Sequence, residues 1–155
     1  MIIFKKILNR IYNCATRFFW LLFLLGCQTP GLVIEESNYS VKQHRVATTL
    51  ALGQVRSVSQ NGRVLLSYYH DRSLKGFQVT AKTTERLYTK VSVLGNRRPY
   101  TVSVEVHIEQ KDPETNRFID IGLDDELGFK RALAIKEVLN QSRAESSAFD
   151  EEVPF

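Results

Sequence analysis

Histidine and its acidic neighbours are the residues of this sequence best suited to proton transfer or metal binding. His70-Asp71 follows Ser67-Tyr68-Tyr69, so a hydroxyl, an imidazole and a carboxylate stand within five residues. These are the group types of nucleophilic and acid–base catalysis, but adjacency along a chain does not make a triad, whose members must converge in space. Glu105, His107 and Glu109 occupy alternate positions, which in a strand places them on one side as a weak surface for a divalent metal. An exposed polar strand face is the simpler account of that spacing. His44 falls on an expected helix. No Cys or His pair has zinc-ligand spacing, and neither a Gly-x-Ser-x-Gly elbow nor a phosphate loop occurs. The expectation is therefore a protein that is not an enzyme and needs no cofactor. A small hydrolase or metal-dependent enzyme using His70 with Asp71, or His107, is the alternative.

A second constellation suits binding. Arg97-Arg98, with Tyr100 and the nearby Tyr88, offers charge-assisted hydrogen bonds to acidic sugars, lipid phosphates or a protein. A solvated turn is the plainer reading of the two arginines. Arg86, Tyr88 and Lys90 also alternate cation, ring and cation, in the manner of a face that stacks single-stranded nucleic acid.

The elements that must position these groups follow from periodicity. Val102, Val104, Val106 and Ile108 alternate with Thr101, Ser103, Glu105, His107 and Glu109, the pattern of a half-buried strand. Leu87, Thr89, Val91 and Val93 form a similar row, and Gly95-Asn96-Arg97-Arg98-Pro99 supplies the turn between the two, so an antiparallel hairpin is expected. Asn61-Gly62 marks an earlier hairpin between Val55 to Ser59 and Arg63 to Tyr69. Short strands are expected at Phe77 to Ala81 and Phe118 to Ile121. A helix from Ser40 to Leu52 ends at Gly53. Asp124 or Asp125 caps a second helix reaching about Arg143, with Ala132, Ile135, Val138 and Leu139 as its apolar stripe and Phe129 and Leu133 on another side. Together these give an α+β fold: a small two-layer sandwich in which an antiparallel sheet of about four strands is packed by a C-terminal helix and a short N-terminal helix.

The first 26 residues have a different character. Lys5, Lys6, Arg10 and Arg17 precede the apolar run Phe18 to Leu25, and Gly26-Cys27 follows. Charge, apolar stretch and small residue is the order of an export signal. Eight apolar residues reach about 12 Å as a helix, short of the roughly 30 Å hydrocarbon core. Leu24-Leu25-Gly26-Cys27 resembles the lipobox of bacterial lipoproteins. That resemblance implies cleavage between Gly26 and Cys27, and acylation of Cys27 as the first residue of the mature chain. It further implies lipid anchoring, with Gln28 favouring the outer membrane on its periplasmic side. The Leu52-Gly53 junction before the Asn61-Gly62 hairpin is weakly similar to the barrel-assembly accessory lipoproteins, small α+β proteins of the same general design.

Charge is reread in that light. The formal net charge is +4, but four of the 21 basic side chains leave with residues 1–26, so 17 remain against 17 acidic ones. The high isoelectric point therefore carries no implication for a partner, and export argues against nucleic acid. Cys14 is lost with the signal and Cys27 is acylated, so no disulfide framework is expected. The expected organisation is a signal over 1–26, a lipidated tether over 27–39, one domain over 40–148 and an acidic tail over 149–155. The expected role is a non-catalytic binding or assembly accessory of the cell envelope, held to the membrane through Cys27, with an envelope protein or a glycolipid as partner. Oligomeric state is left open.

Overall fold

The computed structural model describes residues 32–151. Cys14, Gly26 and Cys27, with the proposed cleavage site and the first part of the tether, lie outside the described residues. So do residues 152–155 of the expected tail. Within 32–151 the order is β1 (Leu32–Ser37), α1 (Val41–Leu52), β2 (Val55–Val58), β3 (Val64–Ser67), β4 (Glu85–Leu94), β5 (Tyr100–Lys111), β6 (Phe118–Leu123) and α2 (Asp125–Glu151). All strand pairs are antiparallel. The α+β fold expected from the sequence is present.

The hairpin of β4 and β5 is its centre. Ten consecutive pairs run from Glu85 opposite Gln110 to Leu94 opposite Thr101. This unbroken register puts Leu87, Thr89, Val91 and Val93 beside Val102, Val104 and Val106 on one face, all at most 2 % exposed. β3 and then β2 extend the sheet beyond β4, while β1 and β6 share the far edge of β5, paired with its beginning and its end respectively.

Both helices cover the valine face. Ile135, Ala132 and Leu139 of α2 and Ala47 of α1 close the core against Val91, Val93, Val102 and Val104. A smaller cluster of Leu87, Val106 and Leu127 continues it. Burial of each large aliphatic side chain is worth about 1.5–3 kcal/mol. The exposed Glu126–Lys130 pair of α2, at 2.7 Å, is worth only a few tenths by comparison, so the stripe and not the surface charges docks this helix.

Local chemistry sets the helix limits. Ser40 Oγ accepts from the Gln43 amide while Gln43 Oε1 accepts from the Ser40 amide, a reciprocal cap that opens α1. Gly53 closes it at φ 80°, a conformation only glycine takes without strain. Asp124 Oδ1 accepts from the Leu127 amide and opens α2.

Four expectations are corrected. The sheet has six strands, not about four. Leu32–Ser37, read as tether, is a strand, because the β5 edge beside Val102 and Val104 needs a partner and Leu32 and Ile34 add their side chains to the core. No strand forms at Phe77 to Ala81. Asp71 instead gathers the Ser73 and Lys75 amides into a tight turn, and only a single His70–Gly76 bridge survives. Finally, α2 continues to Glu151, past Arg143 and into the stretch read as tail.

Candidate binding face

The second face of the sheet is covered by neither helix. Period two along the central hairpin assigns its residues: Arg86, Tyr88 and Lys90 from β4, and Glu105, His107 and Glu109 from β5. Neighbouring strands add Arg56 of β2, and Phe118 and Asp120 of β6. Tyr69 joins them from the segment that follows β3.

These side chains are stacked in order. The Arg86 guanidinium lies between two rings, 3.8 Å from the centre of Phe118 and 4.0 Å from that of Tyr69. Arg56 stands 4.4 Å from Tyr69 and 5.4 Å from Tyr88. Tyr88 in turn lies flat on His107 at 4.8 Å. The face thus carries a row of ring, cation, ring, cation, ring, imidazole drawn from four strands and a connecting segment. Cation–π contacts of this kind are worth about 0.5–2 kcal/mol each, enough to hold the long arginine side chains in place.

Carboxylates flank the row. Arg86 Nε donates to Glu109 at 2.6 Å, Lys90 Nζ donates to Glu105 at 2.9 Å, and His107 lies between Asp120 at 2.7 Å and Glu105 at 3.2 Å. Partial burial pushes the Glu105 carboxyl up, but hydrogen bonds from Lys90, His107 and Ser103 outweigh it and hold the group below the usual carboxylate range. Burial, reinforced by Asp120 and Glu109, raises the Tyr88 phenol. Arg56 differs from Arg86, being exposed and, among the described residues, paired with no carboxylate. Its guanidinium is held by the rings of Tyr69 and Tyr88.

The expected surface of Arg97, Arg98, Tyr100 and Tyr88 is not continuous. Tyr88 pairs with His107, six rungs from the turn, about 20 Å along the strands. It also faces away from Tyr100, which packs on the core beneath Arg63. Arg97 is exposed at the tip. Arg98 borders a cavity of about 440 Å³ with Tyr39, Gln43, Lys136 and Asn140 on the helix side. The alternation of Arg86, Tyr88 and Lys90 was legible in the sequence. Arg56, Tyr69 and Phe118 were not, since only cross-strand register brings them to that row.

The catalytic alternative finds no convergence at His70 and Asp71. The His70 ring is buried, with Nε2 3.1 Å from Thr89 Oγ1 and Nδ1 3.0 Å from the Asp71 carbonyl. The Asp71 carboxylate points to solvent, where the Ser73 hydroxyl and the Lys75 and Ser73 amides hold it below its ordinary range. Glu105, His107 and Glu109 do share a side, as their spacing implied, but Glu109 is taken by Arg86. Among the described residues no group of three His, Cys, Asp or Glu side chains is placed to hold a metal ion. His44, also buried, meets Ser37 Oγ at 2.8 Å and ties α1 to β1.

No family model matches this chain, and it matches no curated protein and no solved structure.

Proposed function

We propose that the protein is a lipid-anchored, non-catalytic accessory of the bacterial cell envelope whose uncovered sheet face binds an envelope protein. The observation that carries this reading is the row Phe118–Arg86–Tyr69–Arg56–Tyr88–His107, a set of rings and cations fixed by one another on a face that no other described element covers. Preorganised aromatic and arginine side chains are the residue types that dominate protein recognition, because little side-chain entropy is lost when they are engaged. The Gly26-Cys27 junction supports the anchor, and the short span between Cys27 and the start of β1 at Leu32 favours a domain held close to the membrane.

Photo-crosslinking in intact membranes tests both parts. A crosslinker at position 56 on the open face is expected to give a discrete protein adduct, while one at position 46, exposed on α1, gives none. Equal adducts from both positions, or none from position 56, overturn the binding face. Cys27→Ala is expected to abolish metabolic palmitate labelling, and retained labelling overturns the anchor.

A further inference from the structure

Among the described residues Arg131 is the one arginine drawn into the core, 9 % exposed, and no carboxylate of theirs lies within 4.0 Å of it. Its Nη1 and Nη2 reach the carbonyls of Ala51 and Leu74 at 3.4 Å, the outer edge of hydrogen-bond range, and its Nε has no partner. A charge taken out of water this far is ordinarily matched by an opposite charge or by full hydrogen bonding. Here neither is present.

The same side chain lines a cavity of about 240 Å³ between the end of α1, the segment after β3 and α2. That volume corresponds to roughly eight water molecules at liquid density, too large for a single ion and suited to a small organic molecule. Its walls divide into two kinds. Leu52 and Leu74 are apolar, whereas Gln54, Ser67 and His70 are polar. Burial above all, with the charge of Arg131 adding to it, keeps His70 below its ordinary value of 6.5, so at neutral pH Arg131 supplies the single charge of the site.

We propose that this cavity binds a small organic carboxylate, its two oxygens on the terminal nitrogens of Arg131 and its apolar body against Leu52 and Leu74. A planar guanidinium matches a carboxylate two bonds at a time, and the two long carbonyl contacts are the only ones displaced. A singly charged ligand suits the site better than a phosphate dianion, because no second cation and no helix N-terminus lines the cavity. The charge of the site lies on the helix side of the sheet, while Tyr69, which also lines the cavity, belongs to the row on the open face.

Isothermal titration of the full chain in detergent at neutral pH tests this with sodium butyrate as probe. Saturable one-to-one binding is expected. Arg131→Met is expected to weaken it by roughly 10- to 100-fold, the loss of a charged hydrogen-bond pair. Gln54→Trp, a change at an exposed residue on the rim, is expected to block binding with Arg131 intact, and it decides the matter if Arg131→Met fails to fold. Absence of saturation, or butyrate binding to Gln54→Trp as tight as to the unaltered chain, overturns the proposal. Inorganic phosphate or butylamine binding as tightly as butyrate overturns the assignment to a carboxylate.

Discussion

The Tyr88 ring lies on the imidazole of His107 with centroids 4.8 Å apart and planes 2° from parallel. The two residues are direct cross-strand partners in the central hairpin, so the stack is a product of register and not of a flexible loop. Tyr88 also meets Tyr69 edge-on at 6.4 Å. Tyr88→Ala should therefore cost about 1–2 kcal/mol by loss of stacking and cation–π contact, and Tyr88→Phe, which keeps the ring, should stay within about 0.5 kcal/mol of the unaltered chain. Urea unfolding at pH 7 measures both. An alanine variant as stable as the phenylalanine one would mean that the row contributes nothing.

Arg86 has two kinds of partner, the rings of Tyr69 and Phe118 and the carboxylate of Glu109, and both members of the ion pair are only 18 % exposed. Removing the cation leaves Glu109 partly buried and unpaired. Arg86→Met is expected to lose about 1–3 kcal/mol, and Arg86→Met with Glu109→Gln less than the sum of the single changes. A double-mutant cycle gives the coupling directly, and additive losses would show the pair to be incidental.

Two buried histidines make stability depend on pH. Burial lowers His44 and His70 from the ordinary value of 6.5, so the folded chain binds fewer protons than the unfolded chain just below that pH. Their contribution is complete above about 6.5 and is lost as pH falls toward the depressed folded values, by up to about 1.4 kcal/mol per pH unit for each histidine. Urea midpoints at pH 7.5, 6.5 and 5.5 should fall in that order, and His44→Leu should flatten the slope. A midpoint that does not move between pH 7.5 and 5.5 would contradict the buried, neutral state of both rings.

The phase of α2 gives a contrast within one helix. Ile135 is fully buried and Leu133, two positions earlier, is 49 % exposed. Ile135→Ala should cost about 2–5 kcal/mol and Leu133→Ala no more than about 0.5 kcal/mol, read as shifts of the denaturant midpoint at constant slope. Similar losses at both positions would place the helix in a different rotation on the sheet.

The valine rows and the stripe from Ala132 to Leu139 carried the fold in the sequence, because period two and period 3.6 are each set by which face meets the core. Ser40 and Gly53 marked α1 through caps that act within a few residues. β1 was not legible: Leu32 to Ser37 is a strand only because β5 has an open edge beside it, a tertiary cause with no local signature. The open face was half legible. Alternation announced Arg86, Tyr88 and Lys90, but the partners that turn them into a row come from β2, β6 and the segment after β3. The cavity at Arg131 had no signal at all, since an arginine on a helix reads as surface until the helix is docked.

The pairing of β1 has a consequence for the order of events during synthesis. Leu32 pairs with Val104 and Ser37 with Tyr100, separations of 72 and 63 positions, and among the described residues β5 is the only strand that β1 meets. A chain that emerges from its N-terminus must therefore hold β1, the earliest strand among the described residues, unpaired until β5 has followed, while the β4–β5 hairpin closes from neighbouring residues as soon as it is made. The seam beside β1 cannot lock before β5 has been made. On the export route proposed above, passage of an incompletely folded thread and completion of the sheet after release would be served by the same topology.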